Sequence, residues 1–116
     1  MTRINCIEPS RLTSKHLLAE YREMLRLRHA RPRQTGVSSY RLGKGHVLFF
    51  YDKGSYLLQR HGQLRDEMKR RGMSPNFELD LSSWPQWAMG DWIPGIDAQL
   101  QNVARIINRL ANGQEK

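Results

Sequence analysis

Wound at about 100° per residue, Leu17, Leu18, Tyr21, Met24 and Leu25 share one arc, which predicts an amphipathic helix. Thr13 or Ser14 is placed to cap its start, and Pro32 stops it near Ala30. A second helix is predicted over residues 52–71, with Tyr56, Leu57, Leu64 and Met68 as its core positions. Gly72 suits its C-terminal cap, and Lys69, Arg70 and Arg71 sit in its last turn, where the helix dipole favours cations. Ile96, Leu100, Val103, Ile107 and Leu110 recur at helical spacing and predict a third helix over residues 97–110.

Between these helices the pattern breaks. Residues 1–13 read as irregular, and residues 31–45 as a basic, glycine-containing loop. The apolar run HVLFFY at residues 46–51 is too short for periodicity to separate strand from buried helix. Its reading is buried irregular structure or the entry to a helix. Residues 73–94 hold Pro75, Pro85, Pro94 and all three tryptophans, which predicts an ordered aromatic connection. At least two of Trp84, Trp87 and Trp92 are expected to pack in the core, and residues 112–116 to fray. The expectation is an all-α fold: a single domain over residues 1–116, built from three main helices.

Charge narrows the partner. The chain of 116 residues carries +8, with a mean hydropathy of −0.69. Residues 1–53 hold 11 of the 19 basic residues and 4 of the 11 acidic ones, so +7 of the surplus lies there. Such a surplus fits the phosphate backbone of a nucleic acid. No apolar run is long enough to span a membrane, and Arg3, Asn5 and Glu8 interrupt any signal-like stretch. Cys6 is the one cysteine, so neither an intramolecular disulfide nor a structural zinc site is expected. Gly43-Lys44-Gly45 lacks the spacing and the following Ser/Thr of a P-loop. A cytoplasmic, nucleoid-associated monomer is the default reading.

Two features carry chemistry. Thr2 is small, which favours removal of Met1 and leaves an α-amine titrating near ~7.7–8.0, partly neutral and nucleophilic at neutral pH. On the first predicted helix, taking His16 as the origin, Glu23 falls at about −20° and Arg26 at about −80°. His16, Glu23 and Arg26 thus line one side away from the apolar arc, with Arg22 at its opposite border. An amine, a carboxylate and a basic surround suit Schiff-base chemistry on a nucleic-acid sugar.

Four blocks, in order, resemble the phage-type pyrimidine-dimer DNA glycosylase/AP lyase family, the endonuclease V of ultraviolet repair. They are MTRIN at residues 1–5, HLLAEYRE at 16–23 with Arg26, GKGHVLFFYDK at 43–53 and PQWAMGDWIP at 85–94. The third is similar to the family pattern G-x-G-H-V-x-F-F-Y-D-K, the fourth to P-Q-x-x-x-G-D-Y-I-P. The resemblance implies an all-α fold with the N-terminal segment threaded between helices, acting on double-stranded DNA that contains pyrimidine dimers or abasic sites, without metal or other cofactor. It implies that the α-amine of Thr2 attacks C1′ of the damaged nucleotide, forms an imino link and leads to β-elimination. Glu23 matches the catalytic carboxylate. Arg3, His16, Arg22 and Arg26 match DNA-binding positions, and the loop holding Lys44 is the candidate for gripping the flanking strands. In this family the base opposite the lesion is flipped out. The aromatic tail W-Y-K-Y-Y-G of the phage enzyme has no counterpart here, and Met24-Leu25 stand where its pattern has Leu-Pro. These departures leave a second reading: a glycosylase/lyase for another damaged or modified base, or a non-catalytic basic DNA-binding relative.

Overall fold

The computed structural model describes residues 4–33, 40 and 46–111. Its main elements are α1 (Ser14–Arg26), α2 (Gly54–Arg70) and α3 (Ile96–Ala111), in an all-α arrangement. Thr13 caps α1, its hydroxyl accepting from the His16 amide at 3.1 Å, which satisfies one orphan N–H of the first turn. The helix tightens into a 3₁₀ turn at Leu27–His29, so the regular part ends a turn earlier than the sequence predicts. HVLFFY takes the helical alternative: a seven-residue 3₁₀ stretch, His46–Asp52, that leads into α2.

The end of α2 follows the glycine rule. Gly72 takes φ +83°, its amide bonds to the Lys69 carbonyl, and the Met73 amide bonds to the Met68 carbonyl. The start of α2 is capped from a distance. Lys53 offers no side-chain cap, and the carbonyl of Gly90 accepts instead from the amides of Ser55 (3.0 Å) and Tyr56 (3.4 Å). The Gly90 amide in turn bonds to the carbonyl of Asp52 at 3.1 Å. A Cβ at residue 90 collides with that carbonyl, so only glycine fits this approach.

The core gathers Leu17, Tyr21 and Met24 of α1, Tyr56, Leu57, Leu64 and Met68 of α2, and the ring cluster Tyr40, Phe49, Phe50, Tyr56 and Trp92. Trp92 stacks on Tyr40 at 5.5 Å, and Trp84 is buried against Tyr51. Trp87 is exposed. α3 docks by Ala98, Asn102 and Ile106, while Ile96, Leu100, Ile107 and Leu110 are exposed.

The N-terminal segment does thread through the fold. Residues 4–7 are buried, without regular secondary structure, and side chains from several elements hold their backbone. Nε2 of His46 lies 3.1 Å from the Ile4 amide and 3.2 Å from its carbonyl, which also accepts from the Tyr40 hydroxyl at 3.2 Å. The Asn5 carbonyl accepts from Tyr56 at 3.4 Å. Oδ1 of Asn102 accepts from the amides of Cys6 (2.7 Å) and Ile7 (3.3 Å), and Arg60 donates to the Ile7 carbonyl at 2.5 Å. Buried backbone polar groups need partners, and a segment outside helix or sheet must find them among side chains.

Candidate active site and nucleic-acid interface

Thr2, Arg3 and Lys44 of the sequence-predicted site lie outside the described residues. The others are on α1. Glu23 and Arg26 come together: the guanidinium donates to Oε2 of Glu23 at 3.3 Å, with Glu23 only 20% exposed and Arg26 81% exposed. A pair this open is worth little to stability, which leaves Arg26 able to turn to another anion. Arg22 is exposed. His16 differs from its sequence reading: it is buried, and its Nδ1 lies 2.8 Å from the Thr13 hydroxyl. It belongs to the capped first turn of α1, two turns before Glu23.

Beneath this surface lies a pair that sequence reasoning missed. Glu20 is fully buried and receives Arg60 through two bonds, Nε to Oε2 at 2.8 Å and Nη2 to Oε1 at 3.0 Å. Burial works against the charge on Arg60, but the Glu20 carboxylate offsets this and leaves the guanidinium firmly protonated. Asn5 completes the group. It donates to Oε1 of Glu20 at 2.8 Å and accepts from Nδ2 of Asn102 at 2.6 Å. The network joins α1, α2 and α3 to the N-terminal segment. No local signal reveals it, since its partners stand 15 to 97 residues apart.

Its chemistry is structural rather than nucleophilic. Burial pushes the Cys6 thiol up to about 11, so it stays protonated and inert at neutral pH. Burial also raises Tyr40 and Tyr56 well above the usual phenol range, so both hydroxyls remain donors to the threaded backbone. At the far end of α2, Glu67 binds Arg70 and Arg71, and these bonds hold its carboxyl down at about 2. Arg71 reaches on to the carbonyls of Pro9, Ser10 and Leu12, so this member of the basic triplet fastens the N-terminal stretch.

Five exposed cations follow α1 and its exit, Arg22, Arg26, Arg28, Arg31 and Arg33. Arg33 lies over the Tyr51 ring at 5.7 Å. A run of exposed cations with Glu23 among them suits a polyanionic duplex. An open groove of about 630 Å³ lies elsewhere, between residues 6–10, α2 and residues 92–94, and none of the candidate site residues lines it. Among the described residues no helix is long and apolar enough to cross a membrane.

A model of the pyrimidine dimer DNA glycosylases matches residues 1–81, which take in the threaded segment, α1, the His46–Asp52 stretch and α2. The match covers 81 of the 116 residues and three of the four blocks quoted from the sequence. The chain therefore belongs to the pyrimidine dimer DNA glycosylase family.

Proposed function

We propose that this protein excises cyclobutane pyrimidine dimers from duplex DNA and then cleaves the strand as an AP lyase, with the α-amine of Thr2 as nucleophile once Met1 is removed. The observation that carries the reading is the fixation of residues 4–7 through both amides and carbonyls, two residues after Thr2 in the chain, in a member of a glycosylase family. A nucleophile at a chain end gains effective molarity only where the chain behind it is held.

The amine nitrogen forms a bond to C1′ as the glycosidic C1′–N bond breaks and its electron pair leaves with the base. Loss of the amine proton and opening of the sugar ring give an imine. Removal of a C2′ proton then expels the 3′ phosphate by β-elimination. Glu23 is the residue for the proton transfers and for stabilising positive charge on the sugar. Arg3, Arg22, Arg26 and Lys44 hold phosphates beside the lesion. His16, buried at the start of α1, serves the site from within the helix turn rather than from an exposed face. The duplex must bend and unstack locally for the sugar to be reached.

Borohydride trapping on a dimer-containing duplex and on an abasic duplex tests this, with N-terminal processing checked by mass. An adduct at Thr2 on both substrates is the expected result. An adduct on the abasic duplex alone keeps the lyase and assigns the glycosylase to another lesion. No adduct on either, with Met1 absent, refutes the mechanism and leaves a DNA-binding relative. Glu23→Gln is expected to abolish cleavage while leaving DNA binding near normal. Full activity in that variant removes Glu23 from its role. The imine route predicts that cleavage persists in EDTA. Affinity should fall steeply with salt as counterions are displaced.

A further inference from the structure

Among the described residues, one face of α3 has no partner. Ala98, Asn102 and Ile106 dock it, while Ile96 (75% exposed), Leu100 (61%), Ile107 (60%) and Leu110 (44%) project outward, with Val103 half-buried between them. Their positions repeat at intervals of 4, 3, 4 and 3 residues, the a/d spacing that two helices use to pack knobs into holes. Ala104 and Ala111 flank the stripe at a further position of the repeat, and small residues there let a second helix approach.

Charge separates this face from a DNA-binding one. The chain carries +8, yet of the charged residues on α3, Asp97, Arg105 and Arg109, both arginines fall on the side away from the stripe by periodicity. A polyanion gains nothing there, whereas two copies of the chain can meet without opposing their basic surfaces. The area agrees. The four outward residues expose roughly 450 Å², within the ~300–600 Å² of the largest apolar patch on a typical monomer. Two such stripes face to face remove at most about 900 Å², the size of a weak, transient interface.

We propose that α3 is a self-association surface on which a second copy of this chain docks by the same helix, about a two-fold axis, as a reversible, concentration-dependent dimer. This replaces the monomer expected from sequence and is independent of the lesion chemistry, because the seam lies beyond the residues matched by the family.

Sedimentation equilibrium from about 1 to 100 µM tests it, as the interface is small enough for reversible association. The expected mass rises from 13.6 kDa toward twice that value. Leu100→Glu and, separately, Leu110→Lys are expected to remain monomeric throughout. Circular dichroism at low concentration should show native helix content in both, because neither residue is in the core. A monomeric wild type at the highest concentration overturns the proposal. So does a dimer mass that survives both substitutions, and so does a monomeric wild type that instead co-sediments with lipid vesicles.

Discussion

Asn102→Leu is the sharpest test of how the N-terminal segment is held. Asn102 is fully buried at the centre of the docked face of α3, and it makes three bonds to a segment more than 90 residues away. Leucine keeps the branched outline and favours helix by a few tenths of a kcal/mol, but it is bulkier, so any overpacking adds to the loss from the missing bonds. It removes the acceptor of two buried amides, Cys6 and Ile7, and the donor to Oδ1 of Asn5. An orphaned buried polar group costs about 1–3 kcal/mol. The Ile7 bond is long at 3.3 Å and contributes at the low end, so the net loss is about 2–4 kcal/mol. At ~0.05–0.15 kcal/mol per residue a chain of this length holds roughly 6–17 kcal/mol, so the variant still folds at 25 °C. Its melting temperature falls by roughly 10 °C. Urea unfolding gives the free energy, and amide exchange at Cys6 and Ile7 shows whether the loss is local. Gln101→Leu, one residue away and exposed, is the control and should stay within ~0.5 kcal/mol. If Thr2 is the nucleophile, imine trapping by Asn102→Leu should also fall by more than the unfolded fraction explains. A loss below ~1 kcal/mol with unchanged amide protection refutes the assignment.

Other outcomes follow from the same geometry. Gly90→Ala drives a Cβ into the Asp52 carbonyl and pulls the Gly90 carbonyl off the start of α2, so urea unfolding should show a loss of about 1–3 kcal/mol. Arg60→Met leaves Glu20 buried and unpaired, costing about 3–5 kcal/mol, and adding Glu20→Met should recover part of it. An unimproved double variant removes the charge argument. His61 is stacked on Tyr21 at 4.9 Å and accepts from the Leu79 amide, and burial together with Arg65 lowers its pKa to about 4. The unfolded chain therefore takes up this proton first. Its contribution is fully present above about pH 6.5 and is lost as pH falls toward 4. The loss is at most ~3 kcal/mol, and about 2 kcal/mol once solvent screening is allowed for. His61→Gln should flatten that part of the pH–stability curve.

The three helices were legible because each has a periodic apolar set and a local stop or start: Thr13 for α1, Gly72 for α2 and the repeat itself for α3. Periodicity says that a face is apolar, not what meets it. On α3 the apolar stripe turns outward, and the face that docks is marked by an asparagine, whose value lies in the backbone it serves. The Glu23–Arg26 pair was legible as neighbours one helical turn apart. The burial of His16 was not, because a capped first turn pressed against the fold has the same sequence as an exposed one.

The motif blocks also have a physical meaning that no single block reveals. Asn5 comes from the first, Glu20 from the second and His46 from the third, and all three converge on residues 4–7. Gly90, from the fourth, sets the start of α2, which presents Tyr56 and Arg60 to the same segment. Each block thus supplies a residue that grips the chain after Thr2 or sets the helix that does, while Arg22 and Arg26 are exposed on the same helix as Glu20. That allocation is consistent with the terminal-amine nucleophile proposed above. A catalyst acting through a helix side chain alone has no need to bury four residues of irregular backbone and satisfy them one bond at a time. Asn102 and Arg60 lie outside the four blocks yet make the closest bonds to that backbone, so weakening either should separate a folded protein from a correctly held N-terminus.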